Sequence, residues 1–97
     1  MTSKQRAYLK GLASNMEPIV HVGKASASAE VVASVQEALD ARELIKIGVL
    51  KNCADDPHTI AGIISERTHS QIVHVIGKKI VLYKPKKDKP VIKLPID

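Results

Sequence analysis

Four short runs of aliphatic and β-branched residues set the limits on what this chain can fold into. Ile19–Val22, Glu43–Leu50, Gln71–Ile76 and Lys79–Lys84 each read as one strand. In the second run Ile45, Ile47 and Val49 share one face, and Leu44, Lys46 and Gly48 share the other. Only Gly77 and Lys78 separate the last two runs. A glycine in the first position predicts a type II′ hairpin there.

Helical patterns fill the gaps between these runs. Thr2 followed by Gln5 has the spacing of a capping box, which predicts a helix to about Asn15. Tyr8, Leu9, Leu12, Ala13 and Met16 fall on one arc of it, with Arg6 and Lys10 mostly on the other side. Pro18 then turns the chain into the first strand. A second helix is predicted from about Ala27 to Ala41, capped by Ser26 or Ser28, with Val31, Val32, Val35, Ala38 and Leu39 inward. Asp56-Pro57 opens a third helix, to about Thr68, with Ile60, Ile63 and Ile64 buried.

The order is therefore α-β-α-β-α-β-β. At 97 residues this is one domain, residues 1–97, with no internal repeat. Two β-α-β links and a closing hairpin make the sheet mixed. The expected class is α+β, a two-layer sandwich with helices over one sheet face and the other face open or partly covered. The segment from about 86 to 97 either adds an edge strand around Val91–Leu94 or stays mobile.

Composition narrows the function. The chain has no Trp, no Phe and only Tyr8 and Tyr83. A sheet that reads bases by stacking needs aromatics, so an RNP-type reader is nearly excluded and an aromatic OB-type platform is disfavoured. The core has to be aliphatic. No apolar run approaches the length of a membrane span, and the first residues lack the apolar stretch of a secretory signal. Cys53 has no partner for a disulfide, which points to a reducing, cytoplasmic setting.

The net charge of +5 is unevenly spread. Residues 1–29 and 71–97 are basic, whereas 30–70 carry more acidic than basic groups. Uniform basicity would speak only for solubility, but segregated basicity points to a face that meets a polyanion. Gly23-Lys24-Ala25-Ser26 lies between a strand and a helix start, where free N–H groups and a lysine favour phosphate. The same segment also reads as a plain β-to-α turn with a serine cap. It is not a Walker A loop, because Pro18 stands where the first glycine is required and Ala25 follows the lysine. Lys78 and Lys79 at the hairpin tip, with Lys84 further along, form either a basic prong or solvated lysines that guard an edge.

Nothing in the spacing supports catalysis. His21, His58, His69 and His74 lack metal-ligand spacing, and Cys53 has no His or Cys neighbour in sequence. Asp55 and Asp56 read as a helix-capping pair, and no nucleophile or acid–base constellation is present. No enzyme activity, metal, cofactor or small-molecule substrate is expected.

Taken together, four stretches resemble the YhbY family, also called the CRM (chloroplast RNA splicing and ribosome maturation) domain. They are Lys10-Gly11-Leu12-Ala13, Pro18 through Lys24, Glu43-Leu44-Ile45-Lys46-Ile47, and Val75-Ile76-Gly77-Lys78 with Val81-Leu82-Tyr83-Lys84-Pro85. The resemblance covers nearly the whole chain, and the length is that of stand-alone bacterial members. It implies a four-stranded mixed sheet similar to the C-terminal domain of translation initiation factor three. It also implies RNA as partner, with bacterial members acting on precursors of the large ribosomal subunit. The family's GxxG loop maps onto Gly23, Lys24, Ala25 and Ser26, with serine in place of the second glycine. The expected RNA surface comprises Lys4, Arg6, Lys10, Gly23, Lys24, Ser26, Lys46, Lys78, Lys79 and Lys84, on a chain acting as a monomer. The competing readings are a duplex-DNA binder of the Alba type, and a module that docks on a ribosomal protein through Ile92, Leu94 and Ile96.

Overall fold

The local signals act where the sequence puts them. In a computed structural model that describes residues 1–96, Thr2 and Gln5 close a reciprocal capping box and open helix α1, Ser3–Ala13. Strand β1 is Val20–Val22, helix α2 is Ala29–Arg42 and strand β2 is Leu44–Val49. Helix α3 is Pro57–Thr68, with Asp56 accepting from the His58 N–H at 2.7 Å, and it stops where His69 adopts φ +54°. Strands β3, Gln71–Ile76, and β4, Lys79–Tyr83, form the hairpin, and Gly77 takes the positive φ its turn requires (+54°). Helix α2 starts two residues later than expected, because Ser26 takes φ +55° and Ser28 is the residue that caps, accepting from Val31 N–H.

The strand order is β1-β2-β4-β3. β1 pairs parallel with β2, and β4 runs antiparallel to both β2 and β3. The sheet is mixed, as expected, and β1, β2 and β3 all point the same way.

The two sheet faces carry separate clusters. Val22, Ile45, Ile47, Ile80 and Leu82 pack against Val35 and Leu39 of α2 and Ile60 and Ile64 of α3. On the other face Leu44, Val73, Val81 and Tyr83 meet Leu9 and Ala13 of α1, with Met16, Ile92 and Leu94 alongside. That face is only partly covered. α1 touches the sheet along a narrow line, so Tyr8 and Leu12, expected on its buried arc, stay 43% and 41% exposed. Apart from Tyr83 the buried apolar residues are aliphatic or cysteine, each aliphatic side chain contributing about 1.5–3 kcal/mol.

Two polar anchors fasten the second layer. The register of β3 shifts between Ile72 and His74, and Arg6 reaches over from α1 to this irregularity. Its Nη1 donates to the Ile72 carbonyl at 2.7 Å and the Val73 carbonyl at 3.1 Å, which ties α1 to an edge strand. The second anchor is Glu43, fully buried at φ +63° between α2 and β2. Its carboxylate accepts from the backbone N–H groups of Lys86 (2.7 Å), Val91 (2.8 Å) and Ile92 (2.8 Å). Among the described residues, the segment after β4 adds no edge strand. It is an irregular strap, held by Glu43, by Ile92 and Leu94, and by Gln5 Nε2 donating to the Pro95 carbonyl.

Burial pushes the Glu43 pKa up, but the three backbone donors and the nearby Lys86 outweigh it, so the carboxyl titrates below its ordinary 4.5. A depressed carboxylate stabilises the fold fully above the ordinary value, and that contribution is lost as pH falls through the depressed one. Denaturant unfolding from pH 6 down to pH 3 is expected to show a steeper loss of stability in the native chain than in Glu43→Gln. Near neutral pH, Glu43→Ala is expected to lose about 3 kcal/mol, since it strands backbone donors. Parallel pH profiles for native and Gln chains would remove Glu43 as the strap's anchor.

Candidate nucleic-acid interface

Because β1, β2 and β3 share a direction, the turns that leave them gather at one end of the sheet. Val22 pairs with Val49, Leu50 N–H donates to the Val22 carbonyl, and Val49 N–H donates to the Lys78 carbonyl. Gly23-Lys24, Lys51-Asn52 and Gly77-Lys78 are thus neighbours. Lys24, Lys51 and Lys78 are all exposed there. A Cβ on Gly23 would stand 3.2 Å from Asn52 Oδ1, so any larger residue would have to shift the Asn52 side chain by a few tenths of an ångström. A shallow groove of about 450 Å³ runs from this loop along β1, lined by His21, Lys24, Ala25 and Val31, with Glu30 on its rim.

The cationic surface continues onto the uncovered part of the second face. Directly opposed residues of neighbouring strands share a face. His74, Val81 and Lys46 make one row across β3, β4 and β2. Ile76, Lys79, Gly48 and His21 make the next. Lys10 and Ser14 of α1 border the first row, and a hollow of about 280 Å³ lies between them, Lys46 and His74. Burial lowers the His74 pKa below its ordinary 6.5, and the positive charge of Lys10 lowers it further, so both favour the neutral ring.

The expected site residues divide into two sets. Gly23, Lys24 and Lys78 meet at the turn end, and Lys79, Lys46 and Lys10 extend from it. Lys84 stands apart, at the other end of β4, roughly 17 Å along the strand. Arg6 is engaged with carbonyls of β3. Lys4 is exposed on the first turn of α1, about 9 Å up the helix from Lys10. Ser26 holds the left-handed backbone that a glycine would adopt freely, and its hydroxyl donates to the Asp55 carboxylate. That pairing occupies the Ser26 hydroxyl and puts an acidic group on its side of the loop. Lys51 was missed in the sequence. Only its place directly after a strand parallel to β1 marks it, and that requires the strand order.

Comparison with known proteins identifies the family. Residues 1–84 match the model of the CRS1/YhbY (CRM) domain. The chain belongs to the CRS1/YhbY (CRM) domain family. The Bacillus subtilis protein YqeI, named as a probable RNA-binding protein, is 41% identical over 95 residues, covering 98% of this chain and 99% of that protein. A Haemophilus influenzae protein named as an RNA-binding protein is 34% identical over 88 residues, with 91% and 89% covered. The fold is similar to the solution structure of a Staphylococcus aureus protein described as a candidate RNA-binding protein. The TM-score is 0.83 at 41% identity, over 98% of this chain and 99% of that one. The CRM match ends at residue 84, so the strap lies outside it.

Two outcomes test the local geometry. An NMR titration is expected to place the His74 midpoint below 6.5 and to move it upward in Lys10→Ala; an unmoved or lowered midpoint would separate the two side chains. Ser26→Ala keeps the strained backbone and loses the Asp55 partner, so it is expected to cost about 1 kcal/mol in chemical denaturation. Ser26→Gly relieves the backbone and is expected to cost less.

Proposed function

We propose that this CRM domain binds structured RNA through phosphate and shape recognition at the turn end of its sheet. One observation carries the reading: Lys24, Lys51 and Lys78 converge beside Gly23, and Lys79, Lys46 and Lys10 continue the surface onto an uncovered sheet face. Such a surface holds a backbone by charge and offers no stacking platform, which suits folded RNA better than single strands read base by base. Relatives named as RNA-binding proteins support the partner class.

The target we propose is the RNA of the large-subunit ribosomal precursor, bound in the cytoplasm by a single copy of the chain in a role without catalysis. The edges of the sheet favour the single copy. β1 is only three residues long, and Arg6 occupies carbonyls of the irregular β3. The two competing readings lose support. The hairpin turn is too short for an Alba-type arm, and Ile92 and Leu94 pack on the α1 cluster, which leaves only Ile96 of the three exposed.

With six lysines each neutralising a phosphate, log K against log salt is expected to fall with a slope on the order of −4 to −5. A slope near −1 would contradict a phosphate-held complex. Lys24→Glu is expected to weaken binding to a ribosomal RNA fragment by about tenfold or more, and Arg67→Glu on α3 by about twofold at most. Equal effects would take the Gly23 loop out of the interface. Co-sedimentation with precursor particles in a sucrose gradient, lost in Lys24→Glu, checks the target.

A further inference from the structure

The strap carries five lysines that the surface above does not use, and four of them cluster. Lys84, Lys86, Lys87 and Lys89 lie at the end of the sheet opposite Gly23, around a hollow of about 600 Å³ also lined by Leu39 and Val91. Asp40 and Asp88 also line it, so its lysines outnumber its acids two to one. Lys86, Lys87 and Lys89 lie beyond the segment matched to the CRM domain, which ends at residue 84.

What distinguishes it from a solvated run of lysines is how it is held. Lys86 N–H and Val91 N–H bond to the two oxygens of the same buried carboxylate, so both ends of the 86–91 loop are fixed to Glu43. Pro85 and Pro90 precede these two anchor points and stiffen the backbone there. Ile92 and Leu94 then seat the outgoing chain on the α1 cluster. Glu43 itself sits at φ +63°, a backbone conformation that carries strain. A buried charge and a strained residue thus hold a surface loop whose exposed side chains include Lys87 and Lys89.

We infer that the 84–89 loop is a second phosphate-binding site for RNA, built on Glu43, and that the chain grips one structured RNA at both ends of its sheet. This rests on the RNA reading of the Gly23 end. The two ends are roughly 17 Å apart along the strands, so two backbone stretches of a folded RNA can be held at once. The second contact then forms at high effective concentration and strengthens the complex without new base contacts. An RNA bridged in this way would be fixed in orientation as well as bound.

The probe is a duplex-containing fragment of large-subunit ribosomal RNA, with affinity measured over a salt series for four variants. Lys87→Glu/Lys89→Glu changes exposed side chains and is expected to stay folded. It should bind about tenfold more weakly, with a salt slope shallower by roughly 1.5. Arg67→Glu reports the effect of an unrelated charge change. If the Lys87/Lys89 pair matches it per charge while Lys24→Glu/Lys78→Glu weakens binding, the second site is overturned and the Gly23 reading stands. If neither lysine pair weakens binding, both readings fall. Glu43→Gln, assayed where it is folded, separates a built site from bulk charge. It makes the chain more positive, so charge alone predicts tighter binding, whereas loss of the held loop predicts weaker binding. Tighter binding would overturn the inference.

Discussion

The direction shared by β1, β2 and β3 is the constraint on which the rest depends. Inserting β4 between β2 and β3 lets a hairpin close the sheet while keeping those three strands parallel in sense. Each then leaves the sheet at the same end, and each exit carries a lysine within two residues. Charges far apart in sequence become neighbours through hydrogen-bonded register alone. The open half of the second face follows from the same arrangement, because α1 is too narrow to cover all of it.

Two polar groups do what apolar packing leaves undone in a domain this small. Arg6 satisfies carbonyls at the irregularity in β3 and shields an edge. Glu43 collects three N–H groups from a segment that has no ladder of its own. Each is costly to remove, since a buried donor or acceptor without a partner is penalised more than the bond is worth. Glu43 also acts at a distance on Tyr83: burial raises the phenol pKa, and the carboxylate charge raises it further. The fold and the cationic surfaces are therefore coupled. Residues that resemble binding groups by type are in part fastenings, and the fastenings decide where the binding groups stand.

Local chemistry made much of the fold legible in the sequence. The Thr2–Gln5 box, Asp56-Pro57, the alternation in Ile45–Val49 and Gly77-Lys78 each specify an element through neighbours three or four residues away. Where the partner is distant, the sequence is silent. Arg6 reads as a surface cation until β3 is placed beside it. Glu43 reads as the first residue of a strand until the strap closes over it. Ser26 reads as a possible cap, yet its positive φ leaves that role to Ser28. Of the candidate site, Gly23, Lys24 and Lys78 could each be named from their turns. Their meeting, the separation of Lys84 and the inclusion of Lys51 could not, because all three depend on strand order.

Chemical-shift mapping tests the central account most directly. A ¹⁵N-labelled chain would be titrated with a structured ribosomal RNA fragment at moderate salt. The account predicts that amides of 23–25, 51–52 and 77–79 move together with one binding isotherm, while those on the outer face of α3 stay in place. Movement concentrated on α3, with the Gly23 loop undisturbed, would contradict it.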